Sequence, residues 1–270
     1  MRFLVLYGTD DLKDTARKIA VGNLKNYEEI CTEKIIEENK AYQREIKECR
    51  EKFKKKKEYG DIEPELIRDC NIIYHSFRAD ADRLASEKMR EAIEAKLDIL
   101  FYLRGDNIEW FVQHDIPLIQ NYDVEIIYVA VDSDKLTKRA MNRAKKSGRM
   151  PDRETIYQCA KNAEENFLQL INHNNFAIKI IDNDGIKPRE IFSKSKSGII
   201  CNLQKADLHF LPGLRKFATA ECEKKTGSGE GCPDVWKKQL LIAVLIILII
   251  FDLYFSFGKS FANFLNKSRN

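Results

Sequence analysis

Val124 to Val131 reads VEIIYVAV, apolar almost throughout, and that continuity limits the possible folds more than any other feature of the chain. A strand with one wet face alternates polar and apolar residues, whereas a strand covered on both faces has no need to. The run therefore belongs inside a sheet with helices on either side. Arg2–Tyr7 (RFLVLY), Leu97–Leu103 (LDILFYL) and Phe176–Ile181 (FAIKII) repeat the pattern, each followed by a glycine or a polar turn. Helical stretches separate them: Asp11 to about Glu58, rich in Glu, Lys, Ile and Leu without proline; Asp80–Ala95; Asn107–Ile119; and the basic Asp132–Ser147. Asp152 caps a further helix with Ile156, Ala160, Ala163, Phe167, Leu170 and Ile171 at three- and four-residue spacings. Ile67–Tyr74, just after Pro64, is one more apolar run. The expected class is α/β, a parallel sheet with helices on both faces.

Lys and Arg number 46 against 42 Asp and Glu, a net charge of +4 that is interspersed along the chain. That balance argues against a nucleic-acid partner. The seven cysteines are odd in number and show no CxxC, and no histidine stands at zinc-ligand spacing. These features predict no disulfide scaffold, no bound metal and a reducing compartment.

Leu240–Phe257 (LLIAVLIILIIFDLYFSF) holds one charge in eighteen residues. As a helix it measures about 27 Å, close to the thickness of a bilayer's hydrocarbon. Lys237 and Lys238 precede it and few residues follow, so it reads as a single-pass C-terminal tail anchor with the large N-terminal domain in the cytosol. The expected organisation is an α/β domain over 1–185, an irregular region and flexible linker over 186–236 containing TGSGEG, and an anchor over 237–270.

Four pieces in order resemble the zeta-toxin family of P-loop kinases, whose members phosphorylate small hydroxyl-bearing substrates such as nucleotide sugars. They are KMREAIEAKLDILFYLRGDNIEWF, YDVEIIYVAVDSDKL, KRAMNRAKKSGRMP and IKIIDNDG, all within the segment from Glu87 to Gly185. The resemblance implies a P-loop-kinase-like fold and assigns the ATP phosphates to Arg139, Arg143 and Arg149, since a planar guanidinium holds two phosphate oxygens. A solvated helix face, or attraction to an anionic membrane, accounts for the same basic charge.

The departures from the family are specific. Gly8-Thr9-Asp10-Asp11-Leu12-Lys13-Asp14-Thr15 stands where the phosphate loop belongs, with Lys13 and Thr15 as remnants. It lacks the second glycine, is one residue short, and sets three aspartates where a triphosphate would sit. Tyr102 and Arg104 occupy the substrate-holding positions in place of the family's acidic residue and threonine, and the base candidates are Asp80 and Asp82. The expected function is a tail-anchored, catalytically degenerate kinase-fold protein that binds a ligand or a protein partner at a cytosolic membrane face. One alternative is an active kinase of a small hydroxyl substrate, such as a nucleotide sugar, using ATP and Mg²⁺. The other is a tail-anchored scaffold.

Overall fold

The computed structural model describes residues 1–8, 17, 26–105, 108–173, 176–185, 187–204 and 207–227. Lys13, Thr15 and the Leu240–Phe257 run lie outside the described residues. Among those described, no helix is long and apolar enough to cross a membrane. One compact unit spans Met1–Cys222, and a second begins at Glu223.

The strands are β1 (Arg2–Tyr7), β2 (Tyr27–Ile30), β3 (Asp98–Leu103), β4 (Asp123–Ala130), β5 (Ala177–Asp182), β6 (Arg189–Ser195) and β7 (Gly198–Cys201). The helices are α1 (Thr32–Glu38), α2 (Lys40–Glu45), α3 (Lys47–Lys54), α4 (Pro64–Ser76), α5 (Arg78–Glu94), α6 (Ser133–Ser147), α7 (Arg153–His173) and α8 (Pro212–Gly227). A π-helical turn, Phe111–Asp115, follows β3. The sheet runs β2-β3-β1-β4-β5-β6-β7. Its first five strands are parallel, and β6 and β7 complete it antiparallel.

The continuous apolar strands are buried on both faces, as their composition requires. Leu4 and Leu6 of β1 join Leu100, Ile127 and Val129 in the core under α1 to α4 and α6. Phe3, Val5 and Tyr7 face the opposite core, with Ile126, Tyr128 and the α7 residues Ala163 and Phe167. Phe167 is fully buried, its ring centroid 5.3 Å from Tyr7 and 4.8 Å from Tyr128. The α7 cap forms as expected: the backbone N–H of Thr155 donates to Asp152 Oδ1 at 2.8 Å.

Several expectations give way. Ile67–Tyr74 lies within helix α4, not a strand, because Pro64 opens a helix that buries Ile67, Cys70 and Tyr74 on one face. The second strand is instead Tyr27–Ile30, whose sequence YEEI has no apolar run to announce an edge strand. Nor does the domain end at Gly185. Arg189–Cys201 forms a hairpin paired on β5, and α8 packs after it, with Leu214 and Ala218 fully buried. This part of the expected linker is core. The patterning hid it because β6 and β7 are half-wet edge strands with broken apolar runs.

The cysteines correct the sequence reading most plainly. Cys49–Cys70 ties α3 to α4, and Cys201–Cys222 ties β7 to α8. An odd total excludes no pairing: Cys31 and Cys159 stay outside both bridges, and Cys232 lies outside the described residues.

Helix α6 ends in a left-handed Gly148 (φ 79°), whose N–H donates to Ala144 O at 2.8 Å. A Cβ there would stand 2.2 Å from Ile46 Cγ1, whereas at Gly60 it would meet nothing within 4 Å. Left-handed strain and overpacking combine at the first position only. Gly148→Ala is expected to lower stability by about 2 kcal/mol, and Gly60→Ala to leave it within about 0.5 kcal/mol, in urea unfolding. Equal unfolding midpoints for the two variants would refute this packing.

Candidate functional site

A cleft of about 920 Å³ opens beyond the carboxyl end of β3. Ligands of open α/β sheets bind at this edge, because the loops there are free to carry polar groups while the strands beneath stay apolar. Its floor is Phe101–Arg104. Helix α5 forms one wall with Arg78, Asp82, Ser86 and Met89, and the segment from Glu109 to Asp115 forms the other. Thr32 and Glu33, at the start of α1, close the end beside β2.

The polar end is organised around Arg78. Its Nη1 donates to Glu33 Oε1 at 3.2 Å and to the Tyr74 hydroxyl at 3.3 Å, and its Nε donates to Asp82 Oδ2 at 2.9 Å. Glu33 is only 3% exposed, and a buried carboxylate needs such a partner. His75 stands at the solvent edge of this end. Partial desolvation, then the guanidiniums of Arg149, Arg104 and Arg78, hold its pKa below the ordinary histidine value.

Tyr102 donates its hydroxyl to Glu29 Oε1 at 2.8 Å, and Glu29 is in turn bridged by Arg17 Nη2 at 2.7 Å. Burial, then Glu29, pushes the Tyr102 pKa well above the usual tyrosine range, so the phenol stays a neutral donor. At the other end the cleft is aromatic. Phe101 and Phe111 stack at 5.8 Å, and Trp110 and His114 lie 4.0 Å apart between ring centroids. Asp115 borders this end and is 6% exposed; burial raises its pKa to about 6. No group of three His, Cys, Asp or Glu suited to a metal ion occurs among the described residues.

Residues 57–189 match the family model for Zeta toxin. Over these residues the chain is zeta-toxin-like, and its fold is P-loop-kinase-like. A solved chain described with the PezAT chromosomal toxin-antitoxin system of the human pathogen Streptococcus pneumoniae superposes with a TM-score of 0.51. It is 13% identical, over 84% of this chain and 86% of that one, a likeness that speaks to the fold alone. No curated protein matches.

In this zeta-toxin-like domain the predicted site residues fall in different places. Tyr102 and Arg104 both line the cleft. Arg149 is buried, its guanidinium carbon 4.3 Å above the Tyr74 ring, within electrostatic reach of His75. Arg143 is held by Glu37, with Nη2 to Oε1 at 2.9 Å, and Arg139 Nη2 donates to the Asn183 carbonyl at 2.7 Å beyond β5. Asp80 and Asp82 stand on helix α5 and do not follow a strand; Asp80 is exposed, and Asp82 is spent on Arg78.

The carboxylate that does follow the second strand is Glu33, which the sequence reading missed because it missed β2. Asp115 was missed as well. Its only signal was an acidic residue inside the otherwise apolar and aromatic stretch IEWFVQHDIPLI.

Proposed function

We propose that this zeta-toxin-like chain is a tail-anchored, catalytically degenerate kinase-fold protein that binds a ligand or protein partner at a membrane face. The occupation of its arginines carries the reading. Arg143 is bound to Glu37 and Arg139 to the Asn183 carbonyl, so two of the three guanidiniums expected on ATP phosphates are engaged by the protein itself. The chain also lacks the second phosphate-loop glycine and carries Asp10, Asp11 and Asp14 around Lys13, where backbone N–H groups and a lysine would be needed for phosphate. Charge about the apolar run favours the cytosolic face, whereas the two disulfides favour an oxidising compartment on the other side.

The active-kinase alternative has one observation in its favour: Glu33, a carboxylate following β2, is among the residues that line the cleft, paired there with Arg78. Nucleotide binding separates the two. Millimolar ATP with Mg²⁺ is expected to leave the melting temperature of the full-length protein unchanged. A site filled at a hundred times its dissociation constant would stabilise the fold by about 2.7 kcal/mol. A clear rise that is lost in Lys13→Ala would establish the active kinase.

A further inference from the structure

Helices α2, α3 and α6 gather charge that the balanced total conceals. Residues 40–57 hold nine Lys and Arg against three Glu, and Ser133–Ser147 of α6 holds six against Asp134 alone. Together the two segments carry a net charge of +11 in a chain of net +4, which leaves the remaining residues at −7. They are far apart in sequence and meet in the fold. Tyr42 donates its hydroxyl to the Ser147 carbonyl at 2.8 Å, and Arg50 Nη1 reaches the Lys146 carbonyl at 3.5 Å. Tyr42, Ile46 and Phe53 share one core with Leu136, Ala140 and Ala144, so the charged sides of both segments share the outer surface of that face of the sheet.

Ion pairs consume part of this charge and leave a surplus of lysine. Glu48 and Glu51 hold Lys52 and Lys54, and Glu37 holds Arg143. Lys40, Lys47, Lys55, Lys57, Lys138 and Lys146 are exposed and have no ion pair among the described residues. Ammonium groups spread in this way suit a plane of negative charge better than a single ligand, since each acts by long-range attraction and needs no shared geometry. Twelve residues separate Gly227, the end of α8, from Leu240, so at full stretch about 45 Å of chain joins the domain to whatever surface the apolar run enters.

We propose that this lysine face rests on anionic lipid headgroups of the membrane that the tail enters, with the acidic remainder turned away. The inference deepens the proposed role at a membrane face and rests on that reading.

The test uses full-length protein in vesicles of phosphatidylcholine, alone or with about 30% phosphatidylserine, and an impermeant acetylating reagent read by peptide mass spectrometry. Lys161, exposed on α7 over the opposite core, is the internal reference. On the anionic vesicles Lys47, Lys55, Lys57, Lys138 and Lys146 are expected to react about fivefold more slowly relative to Lys161, the factor by which such a surface attracts one lysine. About 0.5 M NaCl should restore the rate by shortening the screening length to about 4 Å. Lys55→Glu/Lys57→Glu/Lys146→Glu, at exposed positions, should melt as the parent does and lose the slowing at Lys47 and Lys138. No slowing, equal slowing on neutral vesicles, or slowing that persists in salt would each overturn the face. Protection by duplex RNA at physiological salt, where anionic vesicles give none, would overturn it in favour of nucleic acid. Alkaline extraction from the phosphatidylcholine vesicles reads the anchor separately: release there overturns the tail-anchor reading and leaves the lysine comparison on anionic vesicles intact.

Discussion

Cys49→Ala/Cys70→Ala is expected to unfold with about 3 kcal/mol less stability than the oxidised parent. The bridge closes a loop between residues 21 apart, and loop-closure entropy for a loop of that size removes about 3 kcal/mol from the unfolded ensemble's advantage. Both cysteines are buried, at 6% and 0% exposure, so the alanines leave only small gaps in the contact between α3 and α4. Urea unfolding of the parent with and without a reductant, beside the double variant, measures it. Reduced parent and variant should coincide and fall below the oxidised parent; identical curves for oxidised and reduced parent would remove the bridge from the fold. Thiol trapping in intact cells then reads the membrane face. A domain bathed in glutathione shows free thiols at Cys49 and Cys70, and one in an oxidising lumen shows none.

Asp115→Asn is expected to gain stability over the parent as pH rises, reaching at most about 3 kcal/mol above pH 6. Burial lifts the folded-state pKa of Asp115 from 3.8 to about 6. Between those values the folded protein binds more protons than the unfolded chain, so the fold loses stability as pH rises through that window. Below about pH 4 the carboxyl is protonated in both states and the parent bears no penalty; above about pH 6 it bears all of it. Each pKa unit is worth about 1.4 kcal/mol, which sets the ceiling, and the buried amide of the variant subtracts from it. Unfolding free energies of both proteins at pH 4, 5, 6 and 7 check the difference. Parallel curves would show that burial does not penalise the Asp115 carboxylate.

Much of the fold was legible because burial on two faces writes itself directly into composition. β1, β3, β4 and β5 are apolar runs, and the helix after Asp152 carries its buried residues at helical spacing. What escaped were elements whose burial is one-sided or partial. YEEI forms β2 because its backbone pairs with β3, an interaction between residues about seventy apart that leaves no local pattern. The hairpin β6-β7 is likewise held by register with β5.

The site divided in the same way. Tyr102 and Arg104 could be placed at the cleft because they sit at the end of a strand that the sequence makes plain. Arg139, Arg143 and Arg149 could be named from a resemblance, but spacing says nothing of which carboxylate or carbonyl stands opposite, and Glu37 and Asn183 come from other parts of the chain. By itself, then, the sequence determined the class, the parallel core strands and the absence of a GxxxxGK(S/T) pattern after β1, since each depends on neighbours along the chain. Only the tertiary structure decided the pairing of Glu33 with Arg78, the two disulfides and the burial of Asp115. Each of these is set by which distant groups the packed sheet and helices bring together or keep apart, and by how completely they exclude water.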